Sequence, residues 1–236
     1  TRADRRGRCG CSLREQQYNT SKNFRTALFC RSEYFHIKGI FIISNVVLIN
    51  GSPNEHGCTF TALSEAEKSL NANGIETEMI QVGKKPVAGC IACGKCHETG
   101  KCIFNDKVSE LAERLDEFDG IVVGSPVYYA GPSGQICCFL DRLFYTGSHK
   151  LCGKAAASVV SCRRGGATAA FDRLNKYFTI CNMNVVGSQY WNQVHGHCPE
   201  DVLRDEEGLQ TMRTLGENMA WLIKHTADRS DYPVHE

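Results

Sequence analysis

Asn45-Val-Val-Leu-Ile-Asn50-Gly51-Ser52-Pro53-Asn54-Glu55-His56-Gly57-Cys58-Thr59 opens the regular part of the chain. Asn45 to Asn50 is a short apolar run that stops at Gly51-Ser52-Pro53, which reads as a buried strand entering a turn. Thr59 to Asn73 follows a helical pattern that ends at Gly74. A glycine-containing turn that feeds a helix N-terminus presents free backbone N–H groups to an anion. Ser52 and Thr59 add hydroxyl donors, and Asn54, Gly57 and Cys58 complete the candidate loop. A nucleoside-triphosphate loop would need Gly-x4-Gly-Lys-Ser/Thr. Here five residues separate the glycines and Cys58 stands at the lysine position. The dinucleotide pattern Gly-x-Gly-x-x-Gly is absent as well. A single monophosphate held by amides and hydroxyls remains, and FMN fits it. The competing reading is an ordinary strand-to-helix turn with a Ser/Thr cap.

The alternation continues along the chain. Ile75 to Val82, Gly120 to Gly124, Ala155 to Ser161 and Asn184 to Gln189 read as strands. Lys107 to Phe118, Gly134 to Tyr145, Ala169 to Thr179 and Glu206 to Lys224 read as helices, the last with a buried stripe of Leu209, Met212, Leu215, Met219 and Leu222. Strands alternating with helices imply a doubly wound α/β fold with helices on both faces of a parallel sheet. Five strands suit the flavodoxin-like order 2-1-3-4-5, with the ligand at the carboxyl ends of the strands.

Two further turns fall at that same edge. Gly124-Ser-Pro126-Val127-Tyr128-Tyr129-Ala130-Gly131-Pro-Ser-Gly134-Gln135 follows the third strand. Its tyrosines can cover a flat ring, and its glycines permit close backbone approach. Ser161-Cys162-Arg163-Arg164-Gly165-Gly166 follows the fourth strand and adds positive charge for an anionic flavin or a nicotinamide phosphate. Each turn alone is equally well a core edge or a solvated surface. Three in order, each after a strand, are much less easily a coincidence.

The chain has 236 residues, of which 42% are hydrophobic and 22% charged, and a formal net charge of +1. That suits one domain with a tail. A near-neutral balance gives no general attraction to nucleic acid or to an anionic membrane. The longest apolar stretch, Ile37 to Asn50, is interrupted by Lys38, Gly39 and Ser44, so no segment spans a bilayer. Residues 1–44 carry Arg2, Arg5, Arg6, Arg8, Arg14, Arg25 and Arg31 with few acids and no period. They are expected to be a poorly ordered or unrelated extension to a domain at 45–236, although such a composition also suits a transit peptide.

The 14 cysteines include one tight group, Cys90-x2-Cys93-x2-Cys96-x5-Cys102. In a long α/β chain this points to a metal or redox site in a reducing cytoplasm rather than to a disulfide framework. Successive x2 spacings with a nearby fourth cysteine suit an iron–sulfur cubane, although the last gap is longer than in the ferredoxin run and no proline follows. Structural zinc usually takes two separated pairs. Free or redox-active thiols are the other alternative. Gly89, Gly94 and Gly100 make the loop pliable, and Lys95 and Lys101 could offset cluster charge. The scattered Cys30, Cys137, Cys138, Cys152, Cys162 and Cys181 read as small buried hydrophobes. His195 and His197, in the loop after the last strand, are expected to belong to a structured loop packed by Trp191. They could also cover a ring, form a subunit contact, or bind metal with Cys198.

These motifs, with Phe139-Leu-Asp-Arg-Leu-Phe-Tyr145, Phe171-Asp-Arg-Leu-Asn-Lys-Tyr-Phe178, Gln189-Tyr-Trp-Asn192 and Val194-His-Gly196, resemble those of the NADPH-dependent FMN reductases and iron–sulfur flavoproteins. The resemblance runs from about residue 45 to the end. It implies an FMN-binding, often dimeric or tetrameric protein that passes electrons from NAD(P)H to flavins, quinones or similar small-molecule acceptors. Ser52, Thr59 and their neighbours would hold phosphate, and Pro126 to Gly131 with Arg163 to Gly166 would hold the ring. It also supports a [4Fe–4S] cluster on Cys90, Cys93, Cys96 and Cys102, relaying electrons between a partner such as a ferredoxin and FMN. Two positions depart from the family: Cys58 stands where Asn is frequent, and Cys137 where Lys is frequent. No catalytic triad is expected, because the flavin carries the chemistry.

Overall fold

The computed structural model describes residues 44–228 and 232–233. These belong to the compact unit Phe41–Glu236, and the other unit, Thr1–Ile40, lies outside the described residues together with the expectations for the extension and for Cys30. The elements in chain order are β1 (Ser44–Asn50), α1 (Cys58–Ala72), β2 (Ile75–Gln81), α2 (Lys95–Thr99), α3 (Lys107–Arg114), β3 (Gly120–Tyr128) and β4 (Gly131–Pro132). Then come α4 (Gly134–Gly147), β5 (Ala155–Cys162), α5 (Ala167–Ile180), β6 (Asn184–Val185), β7 (Gln193–His195), α6 (Pro199–Arg204) and α7 (Glu206–His225).

The sheet order is β2-β1-β3-β5-β6, with β7 also paired to β5 and β4 to β3. Every pairing is parallel except the β3–β4 hairpin. This is the doubly wound order 2-1-3-4-5 with two differences. The fifth position is filled by two short strands, β6 beside the start of β5 and β7 beside its end. The expected strand Asn184–Gln189 stops at Val185 because the chain bulges outward there. Asn192 closes the bulge: its carbonyl accepts Val160 N–H, its amide donates to Val186 O, and Ser188 Oγ donates to its Oδ1.

The second difference is at β3, which continues past Gly124 to Tyr128. Ser125 and Pro126 keep partners in Val160 and Ser161 of β5, so the ladder has no reason to stop. Val127 and Tyr128 then pair antiparallel with Pro132 and Gly131.

The strand period of two divides the core. Val47, Ile49 and Val123 face α3, α4 and α5, while Val46, Leu48 and Val122 face α1 and α7. In α7, Met212, Leu215 and Met219 are buried as the stripe predicts, and Leu209 and Leu222 pack at its margin. Among the scattered cysteines of the described residues, only Cys162 is fully buried; Cys137, Cys138 and Cys181 are half-buried. Cys152 is exposed, contrary to the reading of it as a buried hydrophobe. Among the described residues no helix is long and apolar enough to cross a membrane.

Candidate functional site

The first turn is built from the end of β1. Asn50 is fully buried. Its Oδ1 accepts Ser52 N–H at 3.1 Å and its Nδ2 donates to Glu55 O at 3.2 Å, which curls the loop around one side chain. Ser52 Oγ accepts Asn54 N–H at 3.1 Å, so the hydroxyl proton is left for another acceptor. Gln81, at the end of the neighbouring β2, donates to Ser52 O at 2.7 Å. Helix α1 begins beyond Gly57 with no side-chain cap and no acid in its first turn. By contrast α3, α4 and α7 are capped by Asp106, Ser133 and Asp205. The first amides of α1 are therefore left to an outside acceptor, and the helix dipole favours a negative one.

Two side chains of this loop sit differently from expectation. Thr59 Oγ1 is buried and shares a 2.8 Å hydrogen bond with Ser161 Oγ at the end of β5. Its hydroxyl thus ties the first turn to β5, and its backbone amide is what it offers an anion. The Cys58 thiol turns away and donates to Gly196 O at 3.8 Å. Burial pushes that thiol up. Asn54 is exposed at the loop tip.

The other two turns, the third after β3 and the fourth after β5, meet the first and each other. Gly51 N–H donates to Gly124 O of β3 at 2.8 Å, and Ser133 Oγ donates to Gly51 O at 2.8 Å. Gly124 has no room for a side chain: a Cβ there would lie 2.8 Å from Thr59 Cγ2. The fourth turn is held by Cys162, whose thiol donates to Gly165 O at 3.0 Å and accepts Arg164 N–H at 3.3 Å. Gly166, at a φ of 89°, lies against Ala130 of the third turn and is the uncapped start of α5. Contacts therefore run from first turn to third, third to fourth, and fourth to first, along the carboxyl edge of the sheet.

In the third turn, Tyr129 and Ala130 have φ values of 51° and 58°. They are the central pair of the β3–β4 hairpin, where a two-residue turn of type I′ needs positive φ at both positions. Asn-Gly normally fills such a turn; a tyrosine and an alanine are strained in it by about 1–2 kcal/mol each. Tyr129 is fully exposed, and Tyr128 is half-exposed beside it. Pro126 and Val127 are partly covered, while Arg163, Arg164 and Gly165 are exposed. Strain of this kind, on a tyrosine that packs against nothing, clusters at ligand-contacting segments.

The cysteine loop lies between β2 and α3. Cys90 and Cys93 are exposed, and Cys96 and Cys102 are half-buried. Ala92, Gly94 and Gly100 have positive φ, and α2 carries Cys96. Among the described residues, no group of three or more His, Cys, Asp or Glu side chains is arranged to hold a metal ion. Four thiols in one pliable loop have the donor chemistry for a cluster, but they are not gathered into one coordination geometry. Lys95 and Lys101 are occupied by Glu98 at 2.9 Å and Glu113 at 2.7 Å. The cation that reaches a candidate sulfur is Arg142 of α4, which sequence reasoning missed. Its Nε donates to Cys102 Sγ at 3.3 Å, and its Nη1 and Nη2 fork onto Asp106 at 2.7 and 2.8 Å. This guanidinium holds the Asp106 carboxyl below the usual carboxylate range.

The end of β7 at His195 and the loop after it are tied by carboxylates rather than packed by Trp191, whose side chain is half-exposed against Tyr190. His195 N–H donates to Asp205 at 2.7 Å and His197 N–H to Asp201 at 2.9 Å.

Residues 44–197 match the profile of the NADPH-dependent FMN reductases. The chain belongs to that family. It is 35% identical over 189 residues to an iron–sulfur flavoprotein of Methanocaldococcus jannaschii, covering 76% of this chain and 97% of that protein. A second iron–sulfur flavoprotein of the same organism is 30% identical over 180 residues, covering 70% and 89%. Among solved structures, a WrbA-like flavodoxin of Agrobacterium tumefaciens superposes with a TM-score of 0.57 at 17% identity, covering 77% of this chain and 98% of that one. The last likeness shows the fold. As a member of this reductase family the chain is a flavin-dependent oxidoreductase.

The first turn of this family member fits a phosphomonoester: neutral donors, an uncapped helix start and no lysine. Asn50, Ser133 and Cys162, which organise the turns, escaped the sequence reading. For Asn50 a signal existed, since Asn before Gly-Ser at a strand end is the pattern of a side chain that hydrogen-bonds two residues on. For Gln81 and Arg142 no local pattern marks the partner.

Proposed function

We propose that this chain is an FMN-dependent oxidoreductase that takes electrons from NAD(P)H and passes them to a flavin, quinone or similar small acceptor. The supporting observation is the closed circuit of contacts among three turns at one sheet edge, with the uncapped start of α1 inside it. Bound there, FMN would supply the hydride and single-electron chemistry. The chain's part is binding and shielding. Ser52 and the first amides of α1 hold the phosphate. Tyr128, Tyr129 and the Gly131 backbone cover the ring, and Arg163 with Gly165 and Gly166 closes the opposite side. Pro126, Val127 and Ala130 set the distance between those walls. Purified protein titrated with FMN should gain a bound flavin spectrum that NAD(P)H bleaches. Protein that takes up no flavin would end this reading.

The cysteine loop favours a second reading, an iron–sulfur flavoprotein that exchanges electrons with a ferredoxin-like partner. The names of the relatives support it, as do four thiols in a loop with positive-φ residues. Binding a cluster would have to draw Cys90, Cys93, Cys96 and Cys102 together. Iron and sulfide quantified after anaerobic reconstitution test it, with C96A expected to lose both.

A further inference from the structure

We propose that Arg142 is the positioning residue for Cys102, anchoring this one sulfur to the protein core and donating a hydrogen bond to it. The inference rests on the iron–sulfur reading of the cysteine loop.

The Arg142 side chain is 1% exposed, although it is always charged. A buried cation persists only when its donors are satisfied. Asp106 takes the fork, Ala88 O accepts from Nη1 at 3.4 Å, and the Phe104 ring lies 4.7 Å below the guanidinium carbon. Those contacts would suffice for a brace across α4 and α3, because Asp106 also caps α3 through Val108 and Ser109 N–H. Of the donors left, Nε points at the Cys102 sulfur instead of a backbone carbonyl. Cys102 is thus tied to α4, whereas Cys90 and Cys93 ride on a loop with positive φ at Ala92 and Gly94, and Cys96 on the five-residue helix α2 that follows it. The fixed sulfur is the end from which the other three can be ordered. A cationic donor on a ligand sulfur stabilises the more negative, reduced state of a cluster and so raises its potential.

The test uses the full chain, purified anaerobically and reconstituted with iron and sulfide. Iron per chain and the cluster midpoint potential are measured for wild type, R142Q, R142K and D106N. R142Q is expected to retain less iron. In the cluster that remains, the reduced-to-oxidised ratio at fixed poise should fall about tenfold, which is about 59 mV more negative for a one-electron couple. R142K should recover part of the shift, since an ammonium restores charge but not the fork. A brace alone would move the melting temperature and leave the potential unchanged. R142Q with wild-type iron content and potential overturns the inference. If R142Q fails to fold, D106N serves: it keeps a cap acceptor for α3 but releases the guanidinium, so a smaller shift of the same sign is expected and an unchanged potential overturns. Wild type that takes up no iron defeats the iron–sulfur reading and this inference with it. Iron-loaded wild type with insensitive variants defeats the role of Arg142 alone.

Discussion

Gly166 lies so close to Ala130 that a Cβ at position 166 would be 2.7 Å from Ala130 Cα. Backbone meets backbone here, and neither side has a flexible group that can yield. The contact fixes the separation between the turn after β3 and the turn after β5, the two proposed walls of the ring site. G166A adds that clash to a φ of 89°, a region that costs a non-glycine residue about 1–2 kcal/mol. We expect a fall in melting temperature on the order of 5 °C and weaker flavin retention. A G165A control, whose Cβ meets nothing within 4 Å, should leave the melting temperature unchanged. Equal melting curves for G166A and wild type would contradict the packing argument.

Ser52 and Thr59 should separate in their effects. Ser52 Oγ keeps its proton for an outside oxygen, while Thr59 Oγ1 is engaged with Ser161. S52A should weaken FMN about tenfold, the value of about 1.4 kcal/mol for one charge-assisted hydrogen bond, and leave riboflavin binding unchanged. T59V should instead lower stability by about 1–3 kcal/mol, because it strands a buried Ser161 hydroxyl. Paired FMN and riboflavin titrations with urea melts check both. An unchanged FMN-to-riboflavin ratio in S52A refutes the phosphate assignment.

The Tyr129-Ala130 turn stores strain that a natural I′ pair would relieve. The double substitution Y129N/A130G should raise the denaturation midpoint, with a gain on the order of 1–2 kcal/mol. If Tyr129 covers the ring, the same variant should bind flavin more weakly and quench its fluorescence less. A variant that is more stable with unaltered flavin fluorescence would mean that the exposed tyrosine has no part in the site.

Tyr177 of α5 is buried and donates to Asp141 of α4. Burial, reinforced by the carboxylate, raises its phenol well above the ordinary value near 10. The folded state therefore keeps this proton after the unfolded chain has lost it. The contribution is complete below about pH 10 and declines as pH rises from there through the folded value. Wild type should lose stability above pH 10 more steeply than Y177F, by up to about 1.4 kcal/mol per pH unit. Parallel alkaline limbs for the two proteins would rule out the linkage.

How much was legible varies by element. The β1 run, the α1 and α7 stripes and the strand–helix alternation were readable because side chains repeat with the period of the element that buries them. The end of β3 was not: Pro126 to Tyr128 stay in the sheet because β5 and β4 lie beside them, and neither partner is local. The split between β6 and β7 was likewise hidden, since Asn192 closes that bulge through Val160 on another strand. Cys58 and Thr59 are the first two residues of α1, and their side chains answer to Gly196 and Ser161. The four-cysteine spacing was plain, whereas the arginine at Cys102 comes from a helix far along the chain.

Local order along the chain thus set the element types, the doubly wound class and the positions of the three turns. Tertiary structure alone decided which turns touch, which hydroxyl is left for a ligand, and which sulfur is anchored. The reason is one of range. Propensity, periodicity and glycine placement act within a few residues, while a hydrogen bond such as Arg142 to Cys102 exists only after separate elements have packed against the same sheet.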